Sequence, residues 1–145
     1  MTVQDKIERE IVINAPVQRV WELVSEPGWW IGDGDRSAQR RWKEGELDVI
    51  EDPKYGRFPL RTVAAEPPRY ISFRWVPGIP EDGAEPGPTT LVEFWVREYD
   101  DGAVVRVVES GFAAVPNPEE TIKGNTEGWN FQLDVLKSSA EREAA

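Results

Sequence analysis

The chain has no cysteine and no histidine. Without cysteine, disulfides, thiolate nucleophiles and sulfur-ligated metal sites are excluded. Without histidine, the usual neutral-pH base and the commonest metal ligand are missing too. Any acid–base chemistry falls to Asp, Glu, Lys, Tyr or Arg. No apolar run approaches the roughly 20 residues that span a bilayer, so no membrane insertion is expected. Positive charge is also scarce: 17 Lys and Arg stand against 27 Asp and Glu, for a net charge of −10. No basic cluster offsets that balance, so nucleic acid and anionic membranes are poor partners. The polar start "MTVQDKIERE" is no signal peptide, which points to a cytoplasmic protein. Metal and cofactor motifs are missing as well. "GDGD" at residues 32–35 lacks the rest of a calcium loop and reads as an exposed turn.

What the chain has in excess is tryptophan, seven in 145 residues. Large aromatics bury much area and suit either a core or a pocket wall. The length suits one domain with one core, residues 1–145.

Periodicity divides the chain into elements. "KIEREIVIN" alternates and predicts a strand over residues 5–14. Val17, Val20, Trp21 and Val24 share one face of a helix, with Asn14 as its cap and Pro16 in its first turn. Pro27 and Gly28 end it, and a polar loop runs on to about Glu44. Short strands follow: "ELDVIE", "GRFPLRTVAAE" with Pro59 marking an edge or bulge, "RYISFRWV", "TTLVEFWVREY" and "AVVRVVESGF". "PGIPEDGAEPGP" reads as an exposed hairpin loop, and Asp101-Gly102 as a tight turn. Strands this close in sequence pair as antiparallel hairpins. The chain ends in a long helix, with Asn117 as cap, Pro118 first and Glu120 third. Ile122, Trp129, Leu133, Leu136 and Ala140 form its apolar stripe. Gly124, Gly128, Phe131 and Val135 form a second stripe nearly opposite, a track free of long side chains that invites a second backbone. The candidates are another copy of the chain or a cover from residues 28–41; the third alternative is that the helix merely tolerates its glycines.

The pieces "INAPVQRVWELVSEP", "AAEPPRYISFRW", "VVESGF" and "EGWNFQLDVL", in this order and spacing, resemble the activator of heat-shock-protein-90 ATPase homologue family. That family lies within the START-like, birch-pollen-allergen-like superfamily of polyketide cyclases and lipid transporters. The resemblance implies an α+β helix-grip fold: a curved antiparallel sheet of six to seven strands around the long C-terminal helix, with short helices after the first strand. It also implies an apolar cavity between sheet and helix.

Strand parity then draws the cavity wall. Phe73, Trp75, Phe94 and Val107 face the helix, Trp129 and Leu133 face them back, and Trp21, Trp29 and Trp30 stand near one mouth. Glu109 shares the inward face with Val105 and Val107, so its carboxylate needs a partner or a tuned environment. Candidate partners are Arg74, a backbone group, or Arg9, which shares a face with Ile7, Ile11 and Ile13. The reading is a protein that binds a small hydrophobic or aromatic molecule through Trp21, Trp30, Phe73, Trp75, Phe94, Val107, Glu109, Trp129 and Leu133. It uses no cofactor and has a homodimer as candidate assembly. Two alternatives stand beside it: a cyclase/dehydratase-like enzyme using Glu109, and a protein-interaction module of the co-chaperone kind.

Overall fold

The computed structural model describes residues 5–33, 36–75, 89–115 and 117–144. The expected hairpin loop at 77–88 and half of "GDGD" lie outside these residues. The elements run β1 (Lys6–Ile13), α1 (Val17–Val24), β2 (Arg40–Glu44), β3 (Leu47–Asp52), β4 (Gly56–Glu66), β5 (Tyr70–Trp75), β6 (Thr90–Tyr99), β7 (Gly102–Ser110), a single 3-10 turn (Phe112–Ala114) and α2 (Pro118–Ala144). The strands form one seven-stranded antiparallel sheet in the order β1-β7-β6-β5-β4-β3-β2. Each of β2 to β7 pairs with its sequence neighbour, while β1 crosses to the far edge and pairs with β7. The curved sheet grips α2, whose stripe Trp129, Leu133, Leu136 and Ala140 is buried against it, as the helix-grip arrangement requires. Among the described residues no helix is long and apolar enough to cross a membrane.

The inward parity of the central strands is as expected. Val92, Phe94 and Val96 of β6 stand opposite Glu109, Val107 and Val105 of β7, and all six are buried. On β5, Ile71, Phe73 and Trp75 continue the same face toward Phe94, Val92 and Thr90. Helix α1 buries Val20, Trp21 and Val24 over this layer.

Local details correct the sequence reading. Pro16, in extended conformation, precedes α1 with no side-chain cap, and the Asn14 backbone N–H instead donates to Glu141 Oε2 at 2.8 Å. Asn117 has φ 51, outside the extended region of a side-chain cap; its carbonyl accepts from Thr121 N–H at 3.0 Å. The polar loop before Glu44 contains strand β2. "RRWKE" carries no alternation of apolar residues because β2 is an edge strand, paired across to β3 by Arg40–Glu51 and Lys43–Asp48 ion pairs. Strand β4 is interior and its irregularity falls between Thr62 and Ala64, beyond Pro59. Pro59 is tolerated because it faces Val49 of β3, while the β5 pairing stops at Leu60.

The β6–β7 turn is Asp100–Asp101, since Tyr99 pairs with Gly102 and Asp100 has φ 49. Gly102 serves a different purpose. A Cβ there would lie 2.3 Å from the Ile13 carbonyl oxygen, so the β1 backbone crosses directly over it. Gly102→Ala is expected to destabilise the fold by about 1–3 kcal/mol through overpacking against backbone. An unchanged urea midpoint would refute that close crossing.

Candidate functional site

The site is organised by Glu109, whose side chain is fully buried. The register explains its neighbours: Trp75 stands opposite Thr90, and Glu109 stands opposite Val92, two residues along the same face. Both side chains of the first pair therefore reach the carboxylate. Oε2 accepts from Trp75 Nε1 at 2.9 Å and from Thr90 Oγ1 at 2.5 Å. Oε1 accepts from Trp129 Nε1 at 2.9 Å and from Asn125 Nδ2 at 3.1 Å, both on α2. Burying a carboxylate costs several kcal/mol unless its lone pairs are met. Here four neutral donors meet them, two to each oxygen. Among the described residues no cation takes part, and the expected pairing with Arg74 or Arg9 does not occur. Arg74 is on the outer face and exposed. Arg9 is exposed as well and donates to Asn130 Oδ1 and to the Glu8 carbonyl. It lies on the helix side of the edge strand β1, opposite Val107, and reaches α2 at the rim of the grip while staying exposed.

Above Glu109 the grip is filled by rings. Trp30 packs against Phe73, Trp75, Phe94 and Trp129 with centroids 5.5 to 5.7 Å away. Trp29 packs against Phe94 at 5.5 Å and Trp129 at 6.3 Å. These two residues follow α1 and plug the middle of the space that strand parity left open. Their indole Nε1 atoms are enclosed and find no acceptor among the described residues.

Beyond the plug, toward the start of α2, a cavity of about 200 Å³ remains. Trp30, Trp75 and Trp129 wall it on the plug side, and Tyr55 and Phe58 wall it on the β3–β4 side. Ile31 and Gly32 form one rim, and Asn125, Gln132, Gly124 and Gly128 supply the helix side. Among the described residues no lining side chain is charged. Asp52, buried just outside, ties two of these walls together. It accepts from the backbone N–H groups of Lys54 and Tyr55 at 2.8 and 3.0 Å and from Gln39 Nε2 at 2.9 Å. Gln39 Nε2 also donates to the Ile31 carbonyl. Burial pushes the Asp52 carboxyl up, but the Gln39 and backbone hydrogen bonds outweigh it and leave the group below its ordinary value.

Of the residues expected to form the site, Trp30, Trp75 and Trp129 line this cavity. Trp21, Phe73, Phe94, Val107 and Leu133 are buried in the filled core and do not line it. Glu109 lies behind the wall, bonded to three of the lining residues. The glycine track is also relocated. Gly124 and Gly128 border the cavity, because the curved sheet and the 28–33 segment wrap the flank of α2 as well as its front. A Cβ at either glycine would meet nothing within 4 Å among the described residues, so no described residue of the 28–41 segment packs onto them. Sequence reasoning missed Ile31, Gly32, Tyr55, Phe58, Asn125 and Gln132. Parity in "GRFPL" held a signal for Phe58; the polar pair on α2 was hidden by attention to the apolar stripes.

A family profile described as Activator of Hsp90 ATPase homolog 1-like protein matches residues 14–141. No curated protein matches the chain. Among solved structures, protein MLL2253 from Mesorhizobium loti superposes with a TM-score of 0.71 at 20% identity, over 94% of this chain and 97% of that one. The Aha1 dimer from Colwellia psychrerythraea gives 0.68 at 14% identity, over 95% and 97%. DynU16, from the dynemicin biosynthetic locus, gives 0.68 at 20% identity, over 94% of this chain and 47% of its own. At these identities the likeness is one of fold.

Glu109→Gln replaces an acceptor-only group by an amide whose NH2 must face at least one donor. Whichever way it turns, that NH2 meets an indole N–H, Trp75 or Trp129, which has no acceptor to offer, although Thr90 or Asn125 could turn an oxygen toward it. The variant is expected to lose about 1–3 kcal/mol and to shift tryptophan emission, since Trp75 and Trp129 lose their anchor. Equal chemical stability of wild type and variant would show that the carboxylate's charge is not what the donors need.

Proposed function

The chain belongs to the activator of Hsp90 ATPase homolog 1-like family, and on that premise we propose that it is a small-molecule binding protein. The ligand is an uncharged flat aromatic group held between sheet and α2. The carrying observation is the cavity itself: about 200 Å³, walled by three tryptophans, Phe58 and Tyr55, with no charged side chain among the described residues that line it. An apolar void of about 150 Å³ is enough to take up benzene, so a ring system of one to two rings fits the scale. The place of DynU16 in a biosynthetic locus is in keeping with this reading. A cyclase-like enzyme is less well supported. Its acid or base must reach the substrate, whereas Glu109 is fully buried and only its donors line the cavity.

A specific observation also favours self-association. Phe131 is 49% exposed on α2, with half-buried Val135 one turn on, and the Colwellia relative is described as a dimer. A second copy of the chain would cover this flank, as a two-fold patch is its own partner.

Two experiments follow. Naphthalene should change tryptophan emission saturably in the wild type, and Gly128→Leu should weaken that binding at least tenfold with little change in melting temperature. The added side chain has room but projects over the mouth. A flat titration of the wild type would end the binding reading. For assembly, light scattering should give twice the chain mass for the wild type and a folded monomer for Phe131→Glu. A wild type that stays monomeric at high concentration would overturn the dimer.

A further inference from the structure

We propose that the cavity selects ligands by the hydrogen-bond donors they carry, through two oriented acceptors, Asn125 Oδ1 and Gln132 Oε1. The inference rests on the binding role proposed above and adds the ligand's chemistry: an uncharged ring system bearing hydroxyl or N–H groups at its ends.

An amide side chain can show a neighbour either its oxygen or its NH2, and its partners decide which. Asn125 meets Glu109 Oε1, and Gln132 meets the Gly32 carbonyl at 2.8 Å. Both partners only accept. Each amide must therefore turn NH2 toward the protein, which leaves the carbonyl oxygen as the group still to be satisfied. Each NH2 keeps a second N–H, but each oxygen keeps both of its lone pairs, since no described residue donates to either. Gln132 is 94% buried, 6% of its surface remaining exposed, and it lines the cavity. With no described donor, the Gln132 oxygen is not enclosed by protein but open to the cavity, where ordered water or a ligand's donor can reach it.

The helix also sets the spacing. Asn125 and Gln132 are seven residues apart, two turns, so their backbones are separated by roughly 10 Å along the axis. Gly128 falls between them on the same flank. The helix thus offers acceptor, bare backbone, acceptor. A flat ring can lie against Gly128 with a donor at each end, its other surface toward Trp30, Tyr55 and Phe58. Glu109 sits behind with its charge absorbed by four donors, so the wall favours a neutral ligand over an anion.

Equilibrium dialysis of the wild-type chain with naphthalene, 2-naphthol, 2,6-dihydroxynaphthalene and the two corresponding methyl ethers tests this. Each hydroxyl is expected to tighten binding up to about tenfold over its methyl ether, which has no proton to donate. The diol should bind tightest. Gln132→Met removes one acceptor at similar volume and should shrink the diol-to-diether ratio below that of the wild type. Equal affinities for hydroxyl compounds and ethers in the wild type would overturn donor selection and leave the aromatic cavity standing. Failure of every compound, naphthalene included, would overturn both. The wild-type ratio decides the matter even if the variant does not fold.

Discussion

One buried carboxylate joins the parts of this protein that have no other reason to hold a common position. Glu109 lies on β7, and its donors come from β5 (Trp75), β6 (Thr90) and α2 (Asn125, Trp129). Apolar packing between sheet and helix is non-directional and tolerates sliding. Four hydrogen bonds to two oxygens do not. They specify the depth and rotation of α2 in the grip, because only one placement brings both an indole and an amide of the helix to the same oxygen. The absence of a cation matters as well. An arginine partner would need a water-filled approach or a second buried charge, whereas indoles bring their donors on large apolar bodies that also build the wall.

That wall explains why the space between sheet and helix is not uniformly empty. A curved sheet around a helix leaves a volume along its whole length, and Trp29 and Trp30 fill the middle of it. The fit leaves two enclosed indole N–H groups unmet among the described residues. Such donors cost about 1–3 kcal/mol each, against the 150–250 Å² that each ring buries. At roughly 25 cal/mol per Å² that area is worth several kcal/mol, so filling wins. The cavity lies toward the start of α2, where the helix carries Gly124 and Gly128. The glycines weaken the helix by roughly 1 kcal/mol each relative to alanine. Nothing in the described structure needs them for packing, which makes the open flank their one visible consequence.

Much of this was legible in the sequence, for a physical reason. The order of strand, helix, strands and long helix follows from periodicity, because period 2 and period 3.6 are direct images of pleat and turn. The burial of Glu109 followed from parity alone, since a strand allows only two faces. What parity could not supply was the identity of the neighbours. Glu109 appeared to want a cation because a buried carboxylate needs a partner and a salt bridge is an obvious one. Its actual donors are 16 to 34 residues away and meet only through register and helix rotation. Strand β2 was missed because an edge strand held by cross-strand charges has no apolar alternation. The cavity was drawn too large because strand parity counts inward residues but not what packs onto them; Trp29 and Trp30 come from an irregular segment without periodicity.

The carboxylate and the cavity are finally one device. Glu109 can only accept while ionised, and that alone compels Asn125 to present its NH2 inward and its oxygen outward. A neutral acid or an amide at position 109 could donate as well as accept, and Asn125 would then be free to turn over. The outward pattern of the cavity is therefore written by a residue that does not touch it. Gln132 is oriented by an independent constraint, the Gly32 carbonyl. Two unrelated acceptors, one a side chain behind the wall and one a backbone group on the rim, impose the same orientation on two amides of the same helix flank. Agreement between independent constraints is how a sequence specifies one arrangement over its alternatives, and here it extends from the fold to the face a ligand would meet.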